Sequence, residues 1–141
     1  MIRMPAEEKM LVRRFYEEII NNARFDKLHE IIDPKIVWHD PLLPTGEVRG
    51  VENFRNILEM FRLAFPDLHI TVEDQIQENE QVVTRFTITG THKGDLMGVS
   101  ATHKRFKVSG ISIIRFEHGK AVEEWIEEDG LGIMRQLGVV K

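Results

Sequence analysis

The spacing of apolar side chains divides the chain into a helical first half and a strand-rich second half. Apolar residues recur at helical intervals in three segments, which predicts helices at residues 5–22, 25–32 and 51–65. Asp33-Pro34 is expected to end the second helix, because proline disfavours helical backbone in the residue before it. The apolar run Ile36-Val37-Trp38 predicts a short strand ahead of a loop at residues 41–50.

After residue 67 the pattern changes to alternation of apolar and polar residues. It predicts four strands, at residues 68–77, 82–92, 106–117 and 121–129. One face of the first of these holds Leu68, Ile70, Val72 and Ile76. One face of the third holds Phe106, Val108, Gly110, Ser112, Ile114 and Phe116. The turn His118-Gly119-Lys120 joins the last two strands, and a short helix is predicted at residues 130–138.

Helices followed by a run of antiparallel strands predict an α+β fold in one domain, residues 1–141. The three N-terminal helices are expected to pack on a strongly curved, mostly antiparallel sheet. A curved sheet closed by helices leaves a conical cavity, where proteins commonly bind small molecules. The outer face of the sheet would expose Ile111, Ile113 and Trp125, so we expect a homodimer formed through that face.

Composition narrows the partners that the chain can have. Its formal net charge is −4 and no basic stripe stands out, which argues against nucleic acid. The sequence contains no cysteine, so disulfides and thiolate chemistry are excluded, and we expect a cytoplasmic protein. No apolar run is long enough to span a membrane, and residues 1–5 contain no signal-peptide core, although Met4 could be an alternative start.

Candidate chemistry centres on Trp38-His39-Asp40-Pro41. A carboxylate at the end of an apolar strand is either satisfied within a turn, which Asp-Pro commonly opens, or held ready for proton transfer. The sequence leaves both interpretations of Asp40 open. His39 would face away from Asp40 on a regular strand, because neighbouring side chains alternate.

The other titratable residues give weaker evidence of a functional site than Asp40 does. The candidate histidines are His39, His92, His103 and His118, and they show no recognised metal-ligand spacing, so we predict no metal and no cofactor. The pairs Glu123-Glu124 and Glu127-Glu128 are predicted to be solvated charge at a strand edge. Asp129, at a strand end, suits a capping role.

Several local phrases carry a resemblance to a known family. They are Trp38-His39-Asp40-Pro41, the loop 46–50, Phe65-Pro66-Asp67-Leu68, the segment 98–104, Phe116-Glu117-His118-Gly119-Lys120 and Arg135-Gln136-Leu137-Gly138. With the order of elements, they resemble the NTF2-like superfamily and, within it, the SnoaL-like polyketide cyclases. The resemblance covers nearly the whole chain and implies the NTF2-like (cystatin-like) cone. It does not select one activity, because this fold hosts isomerases, cyclases, hydrolases, dehydratases and binding modules.

Carried over position by position, the resemblance implies different roles for different relatives. An ungapped match places the cyclases' acid–base aspartate on Ile126 and their helper histidine on Ser112, and neither residue keeps that chemistry. The steroid Δ-isomerases of the same superfamily match better. Their base, an aspartate before proline, falls on Asp40-Pro41, their oxyanion-hole tyrosine on Tyr16 and their second oxyanion donor on Ser112.

Two functions follow from these residues. In the first, an enzyme transfers a proton next to the carbonyl of a small apolar molecule in an isomerase- or cyclase-type reaction, with Asp40 as base and Tyr16 and Ser112 as donors. In the second, a non-catalytic module binds a hydrophobic ligand or a protein, and Tyr16 and Ser112 are packing residues. The residues expected to line the ligand site are Trp38, His39, Phe61, Phe65, Phe86, Met97 and Ile126.

Overall fold

The computed structural model describes residues 6–140, so the predicted helix start at Pro5 lies outside the described residues. Within them, helix α1 spans Ala6–Arg14, α2 spans Val51–Ala64 and α3 spans Gly130–Gln136. A π-helical turn, Phe15–Ile20, continues α1, and a 3-10 helix covers Phe25–Glu30. The strands are β1 (Ile32–His39), β2 (Glu47–Arg49), β3 (His69–Glu78), β4 (Gln81–Thr91), β5 (Arg105–Glu117) and β6 (Lys120–Glu128).

The strands of the described residues form one curved, unclosed sheet in the order β2-β1-β6-β5-β4-β3. Neighbouring strands run antiparallel except β1 and β6, which are parallel. Buried apolar side chains of the helices and of the inner sheet face form one core cluster. All six predicted inward residues of β5, from Phe106 to Phe116, are buried. The predicted α+β architecture is therefore confirmed.

The second predicted helix is shorter than its apolar period indicated. It ends at Glu30, and Asp33-Pro34 lies inside β1 rather than at a helix end. Ile32 pairs with Ala121 of β6, but regular pairing resumes only at Val37, so Pro34 falls within an irregularity of the ladder. A proline, which lacks the N–H donor, is tolerated in a strand at such a place.

β3 breaks its alternation at mid-strand. Its pairing with β4 shifts between Val72 and Asp74, so Glu73 is the extra residue of a β-bulge. One extra residue moves every later side chain to the opposite face of the sheet. Ile76 is therefore 63% exposed, and the prediction that it shares the buried face with Ile70 was wrong.

Gly110 lies where β5 passes beneath the ring of Phe86. A Cβ at this position would lie 2.6 Å from the Phe86 ring and 2.9 Å from the carbonyl oxygen of Glu127. Phe86 is fully buried against Tyr16, with ring centroids 5.6 Å apart, so it has little room to move. We expect Gly110→Ala to lower the free energy of unfolding by about 2–3 kcal/mol in urea denaturation.

Ser109→Ala is the matched control, because Ser109 precedes Gly110 on the exposed face of β5. It is expected to change the free energy of unfolding by less than about 0.5 kcal/mol. Equal stability of the two variants would contradict the close packing at Gly110.

Candidate active site

A cavity of about 320 Å³ lies between the inner face of the sheet, the helices and the loop after β4. Most of its wall is aromatic or aliphatic. The charged exceptions are the carboxyl groups of Asp40, Glu124 and Glu128, and no Lys, Arg or His side chain lines the cavity among residues 6–140. Carboxyl groups in an apolar site without a cation favour their protonated form.

The structure brings seven of the ten predicted site residues together at this cavity. They are Tyr16, Trp38, Asp40, Phe61, Phe65, Met97 and Ile126. Ser112 and Phe86 contact Tyr16 in the core but are not part of the cavity wall. His39 also lies outside the cavity wall.

Asp40 both caps a turn and lies on the cavity wall. Its Oδ1 accepts a hydrogen bond from the backbone N–H of Leu42 at 2.9 Å, and its own N–H donates to the Gly46 carbonyl at 3.0 Å. The side chain is buried, and burial raises the pKa of its carboxyl. The hydrogen bonds from Leu42 and from the Glu128 side chain oppose that rise in pKa. The two interpretations of Asp40 are therefore not exclusive.

Glu128 faces Asp40 across the acidic end of the cavity. Burial, followed by the nearby charge of Asp40, raises the pKa of Glu128 to about 9. Two carboxyl groups this close cannot both ionise readily, so they hold one proton between them at neutral pH. The direction of the shifts places that proton on Glu128, whose side chain lies close enough to Asp40 for the two carboxyl groups to share it.

Tyr16 joins a second buried network from the π-helical turn. Its hydroxyl lies 2.6 Å from Ser112 Oγ and donates to Glu124 Oε2 at 3.3 Å. Burial raises the pKa of Glu124 to about 8, and it raises the pKa of Tyr16 well above its ordinary value. At neutral pH Glu124 is therefore mostly a neutral carboxylic acid.

Glu124 and Glu128 are the functional candidates that the sequence analysis missed. The prediction that they are solvated strand-edge charge was wrong, because β6 is an interior strand between β1 and β5. Glu124 is only 4% exposed and both residues line the cavity. The signal that could have found them is Ile126, since residues two positions away on a strand share its face.

His39 faces away from the cavity, as strand alternation predicts. Its ring stacks on Trp125 with centroids 5.4 Å apart, and its Nε2 lies 2.7 Å from the Glu123 carboxylate. That hydrogen bond holds the pKa of Glu123 below its ordinary value. The residues on the other face of β6 thus form a separate, partly exposed group.

Residues 6–140 contain no cluster of three or more His, Asp or Glu side chains placed to hold a metal ion. Over the same range, no helix is long and apolar enough to cross a membrane. Asp129, as expected, caps α3: its Oδ1 accepts from the N–H of Gly132 at 2.8 Å.

Known proteins resemble the chain along most of its length. The family model for the SnoaL-like polyketide cyclases matches residues 10–137. Aklanonic acid methyl ester cyclase DauD of Streptomyces sp. (strain C5) is 34% identical over 134 residues, which is 91% of this chain and 80% of that protein. Aklanonic acid methyl ester cyclase DnrD of Streptomyces peucetius is 33% identical, over 91% of this chain and 88% of that protein.

Solved structures also resemble the chain over nearly its whole length. TsrD from Streptomyces laurentii superposes with a TM-score of 0.86 at 28% identity, over 99% of this chain and 100% of that one. The match agrees with the predicted NTF2-like fold, which the neighbouring structures share.

Proposed function

The chain belongs to the SnoaL-like polyketide cyclase family, and we propose that it closes a ring in a neutral, carbonyl-bearing polyketide by acid–base catalysis. The observation that carries the proposal is the Asp40–Glu128 carboxyl pair on the wall of a mostly apolar cavity. A carboxylate beside a carboxylic acid supplies a base and an acid at the same pH. This pair replaces the acid–base group that the family resemblance would put at Ile126.

The proposed reaction begins when Asp40 removes a proton from a carbon next to a carbonyl, and the electrons of that C–H bond form an enolate. The enolate carbon attacks a second carbonyl carbon of the same molecule, so a C–C bond forms as the C=O π bond breaks. Glu128 gives its proton to the new alkoxide oxygen. The proton on Asp40 then returns to Glu128 through their hydrogen bond. The product is an isomer of the substrate, and no oxidant or reductant is required.

Tyr16 is the proposed donor to the enolate oxygen. Preorganised donors at a developing oxyanion are worth a few kcal/mol when water is excluded. Ser112, 2.6 Å from the Tyr16 hydroxyl, would orient that hydroxyl without touching the ligand. It is therefore proposed as a positioning residue.

The cavity favours an uncharged ligand. A carboxylate would enter beside Asp40, Glu124 and Glu128 without meeting a basic side chain of the described residues. The substrate named for DauD and DnrD is a methyl ester, aklanonic acid methyl ester. The proposed apolar contacts to the ligand are Trp38, Phe61, Phe65, Met97 and Ile126.

The direct test is to incubate the purified protein with aklanonic acid methyl ester. Ring closure is expected to give a product of unchanged mass that separates by chromatography. Binding of the ester without any isomer formed would contradict the proposal. That result would favour the non-catalytic binding module, which Ile126 at the cyclase acid–base position supports.

The pH dependence of turnover tests the carboxyl pair. Turnover requires ionised Asp40 and protonated Glu128, so kcat should rise as pH passes the raised Asp40 pKa and fall above the Glu128 pKa of about 9. Glu128→Gln cannot release a proton, so it should lower the maximal kcat by about 10²-fold and abolish the alkaline fall.

Glu127→Gln is the control for that substitution, because Glu127 is the exposed neighbour on the same strand. It should keep a bell-shaped profile. An alkaline fall at the same pH in Glu128→Gln would mean that another group titrates there.

A further inference from the structure

We propose that Met97 is the ligand-retaining residue of the cavity: its side chain folds over the bound ligand, and the backbone of its turn is strained to place it there. This role requires only that a small apolar carbonyl compound occupies the cavity. It therefore rests on that part of the proposed function and not on ring closure. It adds to the apolar contacts a residue that sets how tightly the ligand is held.

Met97 lies at the mouth of the cavity. It lines the cavity and is also 47% exposed, whereas the other lining residues of the described chain are buried or half-buried. A wall residue with that much exposure lies where the cavity meets solvent. Its unbranched thioether side chain adapts to irregular surfaces, so it can follow the outline of a ligand. Folding over an apolar ligand would remove apolar area of both from water, which is favourable.

Met97 belongs to a tight turn that ordinarily carries a different residue. Leu96 and Val99 exchange both backbone hydrogen bonds, at 2.9 and 2.8 Å, so Met97 and Gly98 are the two central residues. Both have positive φ, 46° for Met97 and 89° for Gly98. Such turns favour asparagine, aspartate or glycine at the first central position, because most side chains are strained there. Strained backbone of this kind collects at ligand sites, so the exposed methionine at this position points to a ligand.

The segment 95–101, which carries the turn, is held to the rest of the protein mainly by packing of the buried Leu96 side chain. The hydrogen bonds on either side of the segment are donated by the N–H groups of Gly94, to the Ala64 carbonyl oxygen at 3.1 Å, and of Thr102, to an imidazole nitrogen at 3.2 Å. Between these two residues, the backbone hydrogen bonds of the described chain stay within the turn. A segment attached in this way can adjust over a ligand at low cost in free energy.

The first experiment compares Met97→Ala with Met97→Asn. Both variants lose the apolar side chain, so both should bind 2-tetralone about 10-fold more weakly than the wild type does, as measured by quenching of tryptophan fluorescence. Asparagine tolerates positive φ and alanine does not, so the urea midpoint of Met97→Asn should exceed that of Met97→Ala by about 0.3–0.5 M. Wild-type affinity in both variants would overturn the retaining role, and equal midpoints would overturn the strain.

The turn between β5 and β6 offers a matched control. Its central residues, His118 and Gly119, also have positive φ, 50° and 82°, and neither lines the cavity. His118→Asn should likewise have a higher urea midpoint than His118→Ala, and both should keep wild-type affinity for 2-tetralone. Weakened binding in the His118 variants would mean that the change of affinity at Met97 is not specific to the cavity mouth.

The second experiment observes closure over the ligand. Protein labelled with ¹³C at the methionine methyl groups is mixed with a soluble nitroxide, which broadens the signals of exposed methyl groups. The Met97 signal, assigned with Met97→Ala, should be broadened in the free protein and protected by saturating 2-tetralone. Met10, which is 69% exposed on α1 and does not line the cavity, should stay broadened. Equal broadening of Met97 with and without the ligand would overturn closure.

These experiments separate the role of Met97 from the proposed function. If the wild type forms no ring-closed isomer and the Met97 variants still bind 2-tetralone more weakly, the proposed function fails and the retaining role stands. Wild-type kcat and KM for ring closure in Met97→Ala, with no protection of the methyl group, would remove the role of Met97 alone. No binding of 2-tetralone to the wild type would remove both, because the cavity would not then accept a carbonyl compound.

Discussion

Replacing Asp40 by asparagine is expected to lower the rate of ring closure by roughly 10²- to 10⁴-fold while leaving ligand affinity nearly unchanged. The asparagine side chain keeps an oxygen that can accept the Leu42 N–H bond, which is 2.9 Å in the wild type, so the turn keeps its cap. It cannot take up a proton from carbon. The measurement compares kcat with ligand affinity, the latter from the quenching of tryptophan fluorescence.

Asp74→Asn provides the control, because Asp74 is an exposed aspartate on β3. It should retain wild-type kcat. Loss of the Asp40 charge also removes one cause of the raised Glu128 pKa, so that pKa should fall below about 9 in the variant. Unchanged turnover in Asp40→Asn would reduce Asp40 to a turn cap.

Replacing Glu124 by glutamine is expected to change how stability depends on pH. Burial raises the pKa of Glu124 from 4.5 to about 8 in the folded chain. The folded state therefore keeps a proton that the unfolded state releases, so its contribution is fully present below about pH 4.5 and is lost as pH rises to about 8. From the size of the shift, this loss is on the order of 2–5 kcal/mol.

In Glu124→Gln, residue 124 no longer contributes to the change of the unfolding free energy with pH. Glutamine has no charge to bury at high pH, but its amide adds donors without clear partners. Relative to the wild type, the variant should therefore be less stable near pH 5 and more stable near pH 9, in urea denaturation at both pH values. Part of the pH dependence that remains comes from Glu128, whose pKa is also raised by burial.

Glu123→Gln is the control, because the pKa of Glu123 is shifted in the opposite direction from that of Glu124. Glu123 is the chain neighbour on the other face, and its hydrogen bond with His39 lowers its pKa. Its contribution is present at neutral pH and lost toward acid, so the variant should show no gain near pH 9. If the unfolding free energy of Glu124→Gln changed with pH as it does in the wild type, Glu124 would not be buried as a neutral acid.

Strict alternation is the part of the fold that the sequence predicts best. The twelve predicted residues of β5 assign one face without ambiguity, because each side chain's face follows from its parity. The alternation pattern does not predict the bulge at Glu73. It depends on how β3 pairs with β4, so only the paired structure reveals that Ile76 turns outward.

The candidate site likewise contains some residues that the sequence predicts and others that it does not. A local phrase and a family resemblance marked Asp40 and Tyr16 as candidates, and both line the cavity. Glu124 was missed because adjacent glutamates are typical of solvated surface, and only the parallel pairing of β1 with β6 puts that strand in the sheet interior. That pairing joins residues more than 80 positions apart, such as Val37 and Glu123, and local patterns do not encode it.

Deuterium exchange at carbon tests the central claim most directly. The protein is incubated in D₂O with 2-tetralone, whose acidic hydrogens lie next to its carbonyl, and deuterium uptake is followed by proton NMR. If Asp40 is a base in a cavity that accepts carbonyl compounds, the wild type should exchange these hydrogens well above the buffer rate, and Asp40→Asn should not. Exchange at the buffer rate with 2-tetralone bound, or equal exchange by both proteins, would contradict the account.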